Sequence, residues 1–359
     1  MNEIKYKFSK TDSKVFGKEV NARVNELFVK DNITHLANRE MILKTLLSFG
    51  FYMGIYLLII LGGVENLLAL LVLWVLLGFG QGFVGMCIMH DKVHGAYVKS
   101  FWGNILLEIP IVSIGVESLI WKIEHNIMHH NYTNIDGLDQ DIYNRGVFRF
   151  SKHHPRRWYH RYQHIYATFF YSLMIIEWMT VKDFIKLVKY RKMGFFKTNP
   201  EAIQRALIII AKKSVFFTLF LVIPLYVIDR PAELVSLMFL TMLAVAGIYM
   251  TIIFQLAHVV PHTYFPETEE NNGENWHIHQ MKTTSNFANN NRFITFILGG
   301  LNYQIEHHLK PGMCHVHYPK ISKIVKSTAA EFGIPYYTYR SVWEAISMHY
   351  GLLRKLGRP

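Results

Sequence analysis

Three histidine clusters are the residues of this chain best suited to chemistry: His90-Asp-Lys-Val-His94, His125-Asn-Ile-Met-His129-His130 and Gln304-Ile-Glu-His307-His308. They supply seven imidazoles, and neutral imidazole is a good nitrogen ligand for iron, zinc or copper. Seven exceed what one ordinary metal site uses, so the pattern points to two metals side by side. The four-residue spacing of His90 and His94, repeated in His125 and His129, sets each pair on one face of a helix, from which two nitrogens can reach one ion. His307 and His308 are adjacent and diverge by about 100° on a helix, so one ring can serve each metal.

The donor types narrow the metal. The two cysteines, Cys87 and Cys314, are far apart and lack CxxC spacing, which excludes a thiolate zinc or iron–sulfur site and argues against a disulfide scaffold. An all-nitrogen set suits redox iron better than structural zinc. Asp136, Asp139 and Asp141 follow the second cluster closely. They are candidates to accept hydrogen bonds from imidazole N–H groups and so orient the rings; the alternative is that they are loop acids or helix caps. Glu306 carries the same pair of readings.

Long apolar segments must position these clusters. Of 359 residues, 51% are hydrophobic, and soluble domains are rarely so apolar. Apolar runs cover residues 46–63 and 67–89, joined by a short link that forces an antiparallel hairpin. A second pair covers 214–228 and 234–257 around the turn Asp229-Arg230-Pro231-Ala232-Glu233. Each run of the first pair is near the ~20 residues that span a ~30 Å hydrocarbon core as a helix. The segments 101–120 and 165–181 are apolar but carry Glu108, Glu117 and Glu177, and read as interfacial or partly inserted helices. The region 90–213 holds eighteen Lys and Arg against ten Asp and Glu. The positive-inside rule therefore puts both termini and all three clusters in the cytoplasm. The expected fold is an all-α membrane protein: four transmembrane helices in two hairpins beneath a cytosolic helical cap that carries the metals. The net charge of +12 belongs to cytoplasmic loops on this reading, not to a nucleic-acid surface. The polar N-terminus, MNEIKYKFSKTDSKVF, is not a secretory signal.

The remaining histidines read differently. His153, His154, His160 and His164 lie among Arg156, Arg157 and Arg161, whose charges disfavour a further cation, so a basic cytosolic or headgroup-facing surface is expected there. His277 and His279, after the acidic loop 267–274, are expected at the surface, and His315 and His317 are expected to be structural.

HDKVH, HNIMHH and QIEHH resemble the three histidine boxes of the membrane fatty acid desaturases, HxxxH, HxxxHH and QxxHH, in order and separation. The likeness extends through HHNYTNIDGLDQDI, QMKTTSN and GGLNYQIEHHLKPGMCHVHYP, and covers about residues 45–345. Glutamine at the head of the third box makes the likeness strongest to front-end acyl desaturases and their bacterial relatives. The resemblance implies a di-iron site and adds an eighth ligand at the cytosolic end of the fourth membrane helix, where His258 stands, with His262 as its competitor. It also implies that Gln304 approaches a metal directly or through water. On this basis residues 1–44 are a cytosolic segment, 45–345 the desaturase domain and 346–359 a tail, with a bacterial inner membrane as the expected location.

Two features depart from the family pattern. Front-end enzymes of eukaryotes usually carry a fused cytochrome b5 domain with an HPGG motif, and this sequence has none; a separate ferredoxin or cytochrome b5-type carrier with its reductase is expected. Lys310 follows His-His-Leu where an apolar residue is usual. The implied reaction is oxygen-dependent removal of two hydrogens from adjacent methylenes of a long-chain acyl-CoA or acyl-lipid, leaving a cis double bond, with O2 reduced to water. A long apolar tunnel should hold the chain. Lys152, Arg156 and Arg157 are candidates to contact the acyl carrier or electron donor. The rival outcomes are lipid or carotenoid hydroxylation or ketolation by the same oxidant, and non-enzymatic metal carriage. Carriage requires ionisable groups near the bilayer midplane, whereas these clusters sit at one membrane edge.

Overall fold

A computed structural model describes residues 6–9, 14–142, 146–266 and 275–359. The acidic loop 267–274 lies outside the described residues. Four helices are long and apolar enough to cross a membrane: Arg39–Leu61, Leu67–Val93, Asn199–Val227 and Ala232–His258. They form the two expected hairpins. Asn38 caps the first span by accepting from the Met41 amide at 3.0 Å, and Asn66 caps the second by accepting from Ala69 at 2.9 Å. The spans meet through Tyr52, Trp74, Phe220 and Met242, all fully buried, while Leu46, Leu57, Leu61 and Leu68 face outward, as lipid permits.

The third span begins at Asn199, well before the apolar run that starts at Ser214. Its early turns carry Arg205, Lys212 and Lys213, and charge pairing makes them acceptable in a helix at the membrane edge. Arg205 binds Glu117 at 2.9 Å, Lys212 binds Glu108 at 3.0 Å and Lys213 binds Asp183 at 2.9 Å. The segment expected at the interface is a bent pair, Phe101–Ser113 and Ser118–His129, whose axes turn by 98°. Gly115 makes the corner at φ +73°, against the Met179 sulfur and the Phe216 ring. The second such segment is the helix Gln163–Glu177, which lies along the fourth span. A Cβ on Gly247 would stand 2.7 Å from the Ser172 carbonyl oxygen, so glycine is what allows these two helices to approach so closely.

The cap on the histidine side has a core of its own. Phe16, Val20, Val24 and Phe28, on the helix Lys14–Lys30, pack against Ile321, Val325 and Ala329 of the helix Tyr318–Glu331. Arg23 ties the pair together through Glu331 at 2.6 Å. A two-residue parallel ladder joins Asn286–Phe287 to Thr338–Tyr339 and anchors the loop that leads to the third cluster.

Candidate metal centre

Near its end the second span passes through a π-helical turn, Gly85–Met89, immediately before His90, and His94 caps its last helical turn. His125 and His129 lie in another π segment, Ile123–His129. There the His130 amide donates to the His125 carbonyl, an i to i+5 bond that brings the two rings together with Nε2 atoms 3.3 Å apart. The third cluster sits on the short helix Gln304–Leu309, whose approach passes through Gly299 and Gly300 at φ +63° and +69°. A Cβ on Gly299 would lie 2.4 Å from the Met86 carbonyl oxygen in the π turn. Glycine there lets the third cluster close onto the first.

Eight imidazoles converge. His90, His94, His125 and His307 form one group, and His129, His258 and His308 a second, with one ring nitrogen from each member within 4.8 Å of the others in its group. His130 stands between them, within the same limit of His307 and His308. His307 and His308 therefore divide between the groups, as adjacency on a helix requires. His125 and His129 fall in different imidazole groups, yet the two also lie with Asp141 within the same limit, as their four-residue spacing suggests. His258 joins the cluster, whereas His262 stacks on Tyr337 with ring centroids 4.9 Å apart.

The rings are held mainly by their Nδ1 atoms. His129 Nδ1 bonds Asp139 at 2.9 Å, His125 Nδ1 bonds Asp141 at 2.6 Å, and His308 Nδ1 bonds the Gln280 side-chain oxygen at 2.8 Å. His258 Nδ1 donates to the Thr283 carbonyl at 3.2 Å, and His307 Nδ1 meets the Tyr318 hydroxyl at 3.1 Å. A proton on Nδ1 leaves Nε2 with its lone pair directed inward. The Nε2 atoms of His94, His129, His258 and His308 are buried without any hydrogen-bond partner, as is Nδ1 of His130. Burial, and then the neighbouring imidazoles, holds His130, His307 and His308 well below the usual histidine range, so these rings are neutral ligands in waiting. Orphaned buried nitrogens are costly in a protein and are what bound cations would satisfy, so the residues fit a pair of metal ions.

Other expected residues fall elsewhere. Asp136 pairs with His154 at 3.2 Å, in the loop before the Asp139 turn. Glu306 points away from its histidine neighbours, accepting from Asn286 and the Tyr336 hydroxyl, each at 2.8 Å, and burial pushes its carboxyl up to about 7. It secures the loop instead of a ring. His279 is fully buried, not at the surface, with Nε2 on the Thr133 carbonyl at 2.8 Å, and burial lowers it to about 4. His315 bonds Asp91 at 2.8 Å and His317 bonds the Leu36 carbonyl at 2.9 Å. His160 is buried on the Gly146 carbonyl at 3.0 Å, while Lys152, Arg156 and Arg157 are exposed. Lys310 reaches Asn21 on the N-terminal helix, outside the cavity described next.

Gln280, Thr283 and Tyr318 escaped the sequence reading as ring-orienting groups, although QMKTTSN and HVHYP contain them. Trp121 was also missed: it stacks on His125 with centroids 4.4 Å apart and planes 13° apart. It lines an apolar cavity with Met86, Met89, Met174, Trp178, Met250 and Phe254, into which His90, His125, His307 and Gln304 face. Gln304 donates its amide to the Leu301 carbonyl at 2.9 Å. The cavity shares Asp141, Met174, Lys182, Thr251 and Gln255 with an outer depression between Phe170 and Lys189.

Comparison with known proteins agrees with this architecture. The fatty acid desaturase family profile matches residues 66–340. The chain is 36% identical to an sn-1 linoleoyl-lipid 6-desaturase of Arthrospira platensis, over 95% of this chain and 92% of that protein. It is 31% identical to the protein of the same name from Synechocystis, over 97% of each, and 33% identical to an acyl-lipid (8-3)-desaturase of Physcomitrium patens, over 94% and 71%. Four membrane helices, a buried imidazole cluster at one end of them and this family match together make the chain a membrane-bound member of the fatty acid desaturase family, an oxidoreductase that desaturates fatty acyl chains.

Proposed function

We propose that this desaturase holds two iron ions in its imidazole cluster and inserts a cis double bond into an acyl chain of a membrane glycerolipid. One ion would take His90, His94, His125 and His307, the other His129, His258 and His308, with His130 at their junction and Gln304 as a weaker oxygen donor. The observation that carries this reading is the set of buried, unpartnered ring nitrogens at the centre of the cluster. When bound, a pair of irons supplied with O2 and two electrons provides an oxidant strong enough to take hydrogen from an unactivated methylene.

The remaining work belongs to this chain's side chains. Asp139, Asp141, Gln280 and the Thr283 carbonyl fix ring tautomers and directions, so the lone pairs are set before metal arrives. The apolar wall of Met86, Met89, Met174 and Met250 excludes water and holds methylenes beside His90 and His307. Trp121 prevents the His125 ring from tilting into that space. The cationic surplus on the histidine side supports a cytoplasmic active site at a bacterial inner membrane and a separate electron carrier.

The relatives named as linoleoyl-lipid and acyl-lipid desaturases support a lipid-linked, already unsaturated substrate, with the new bond on the carboxyl side of the existing one. Feeding defined fatty acids to an expressing bacterial strain and locating double bonds in its lipids by gas chromatography–mass spectrometry tests this. New unsaturation between an existing double bond and the carboxyl end is expected. Hydroxylated chains without new unsaturation would refute desaturation, and new bonds on the methyl side would refute the regiochemistry.

A further inference from the structure

Each turnover of the proposed reaction balances as RCH2CH2R′ + O2 + 2 e− + 2 H+ → RCH=CHR′ + 2 H2O. Two electrons must therefore enter through some face of the protein, one at a time from a one-electron carrier. We infer that an acidic electron-carrier protein docks in the basic depression between the start of the first membrane helix and the helix Tyr318–Glu331, and not on the patch around Arg156 and Arg157. This rests on the desaturase reading above.

Charge is the first observation. The depression is lined by Lys44, Arg292, Lys320, Lys323, Lys326 and Arg340, with Glu40 as its acidic lining residue. Lys320 is tied to Asp31. Arg292, Lys323, Lys326 and Arg340 are exposed around it. A concave surface predominantly of one sign concentrates the field and attracts a partner of the opposite sign. The depression beside Arg157 is of mixed sign, because Asp136 and Asp139 line it as well.

Connection to the metal cluster is the second, independent observation. His315 lines the floor of the basic depression and is 1% exposed. Lys44 Nζ meets its Nε2 at 2.8 Å, and its Nδ1 meets Asp91 Oδ2 at 2.8 Å. The Asp91 backbone is bonded directly to His90, and its Oδ1 lies 3.4 Å from His90 Nδ1. A short chain of hydrogen bonds and one peptide link thus runs from the floor of the depression to a ring of the first imidazole group. Such a bonded path couples an electron donor to an acceptor better than an equal gap of loosely packed side chains. The family-wide need for a carrier does not specify this face; the cation cluster and the His315–Asp91–His90 connection do.

The test is direct binding in nanodiscs of neutral phosphatidylcholine, with a plant-type [2Fe–2S] ferredoxin and a soluble cytochrome b5 domain as probes, by biolayer interferometry at low and high ionic strength. At least one probe should bind wild-type protein, more weakly as salt rises. The Lys323→Glu/Lys326→Glu variant should raise its Kd roughly tenfold or more. In turnover with that carrier, its KM for the carrier should rise with kcat unchanged. The Arg156→Glu/Arg157→Glu variant should bind like wild type. The proposal is overturned if neither probe binds, if the Lys323/Lys326 variant keeps wild-type affinity, or if the Arg156/Arg157 variant alone is impaired. It is equally overturned if the Lys323/Lys326 change weakens adhesion only to anionic lipid vesicles. Binding is read without turnover, so a strain that makes new double bonds while Kd is unmoved rejects this docking face and leaves the desaturase reading intact.

Discussion

His90 and His307 stand 217 residues apart in sequence and bring their Nε2 atoms within 3.2 Å. Two lone pairs at that distance repel unless a proton or a cation lies beside them. Tyr318 holds His307 by its Nδ1, so the facing Nε2 atom is fixed in place. The same arrangement recurs in the second group, where Nε2 of His129, His258 and His308 is buried and unpaired. The fold thus assembles costly polar atoms around one centre, which is reasonable only if a bound ion offsets the cost.

Asp139 orders this centre from behind. It accepts from His129 Nδ1 and from the Asn134 amide, both at 2.9 Å, so one carboxylate aligns the ring and closes the loop. Asp139→Asn keeps the shape and loses the charge. We expect its iron to be lost to a chelator with an affinity lower by roughly tenfold to a hundredfold. Asp136→Asn should retain wild-type affinity, since Asp136 faces His154. Metal retention after chelator challenge, read by mass spectrometry, checks both.

Gly299 sets the approach of the third cluster. Gly299→Ala forces a left-handed conformation on a residue with a Cβ that would also meet the Met86 carbonyl oxygen at 2.4 Å. A loss of at least about 2 kcal/mol is expected, visible as a lower thermal midpoint in detergent. Gly312→Ala serves as the control: a Cβ there meets nothing within 4 Å, and it should unfold like wild type.

Acid sensitivity should arise in part at His349. It is fully buried, bonded to the Val259 carbonyl at 2.7 Å and to the Tyr171 hydroxyl at 2.8 Å, and burial lowers it to about 4. Its folded value lies below the unfolded one, so the unfolded chain binds the proton first. Stability is then full above about pH 6.5 and falls as pH drops toward 4, by about 3 kcal/mol in all. His349→Gln removes this titration, and its thermal midpoint should vary less with pH across that window. An unchanged pH slope would assign the acid sensitivity to other groups.

Much of this was legible in the chain. The apolar runs fixed two hairpins, because runs of that length joined by such short links have few other arrangements in lipid. The clusters themselves and the parting of His307 from His308 followed from helical spacing. The approach of His130 to His125 did not, because a π turn draws the two rings together and nothing in HNIMHH signals that turn. The start of the third span was hidden by Arg205, Lys212 and Lys213, whose charges look like a loop until Glu117, Glu108 and Asp183 meet them. Gln280, Thr283 and Tyr318 were unreadable as ring-orienting groups because each meets its ring from another element, 28, 25 and 11 residues away in sequence.

The central claim is that eight imidazoles hold two irons, and metal stoichiometry tests it most directly. Protein purified from iron-replete cells and measured by inductively coupled plasma mass spectrometry against quantitative amino-acid analysis should contain two irons per chain, and His258→Ala should contain fewer. A single tightly held ion, zinc in place of iron, or no retained metal would contradict the account.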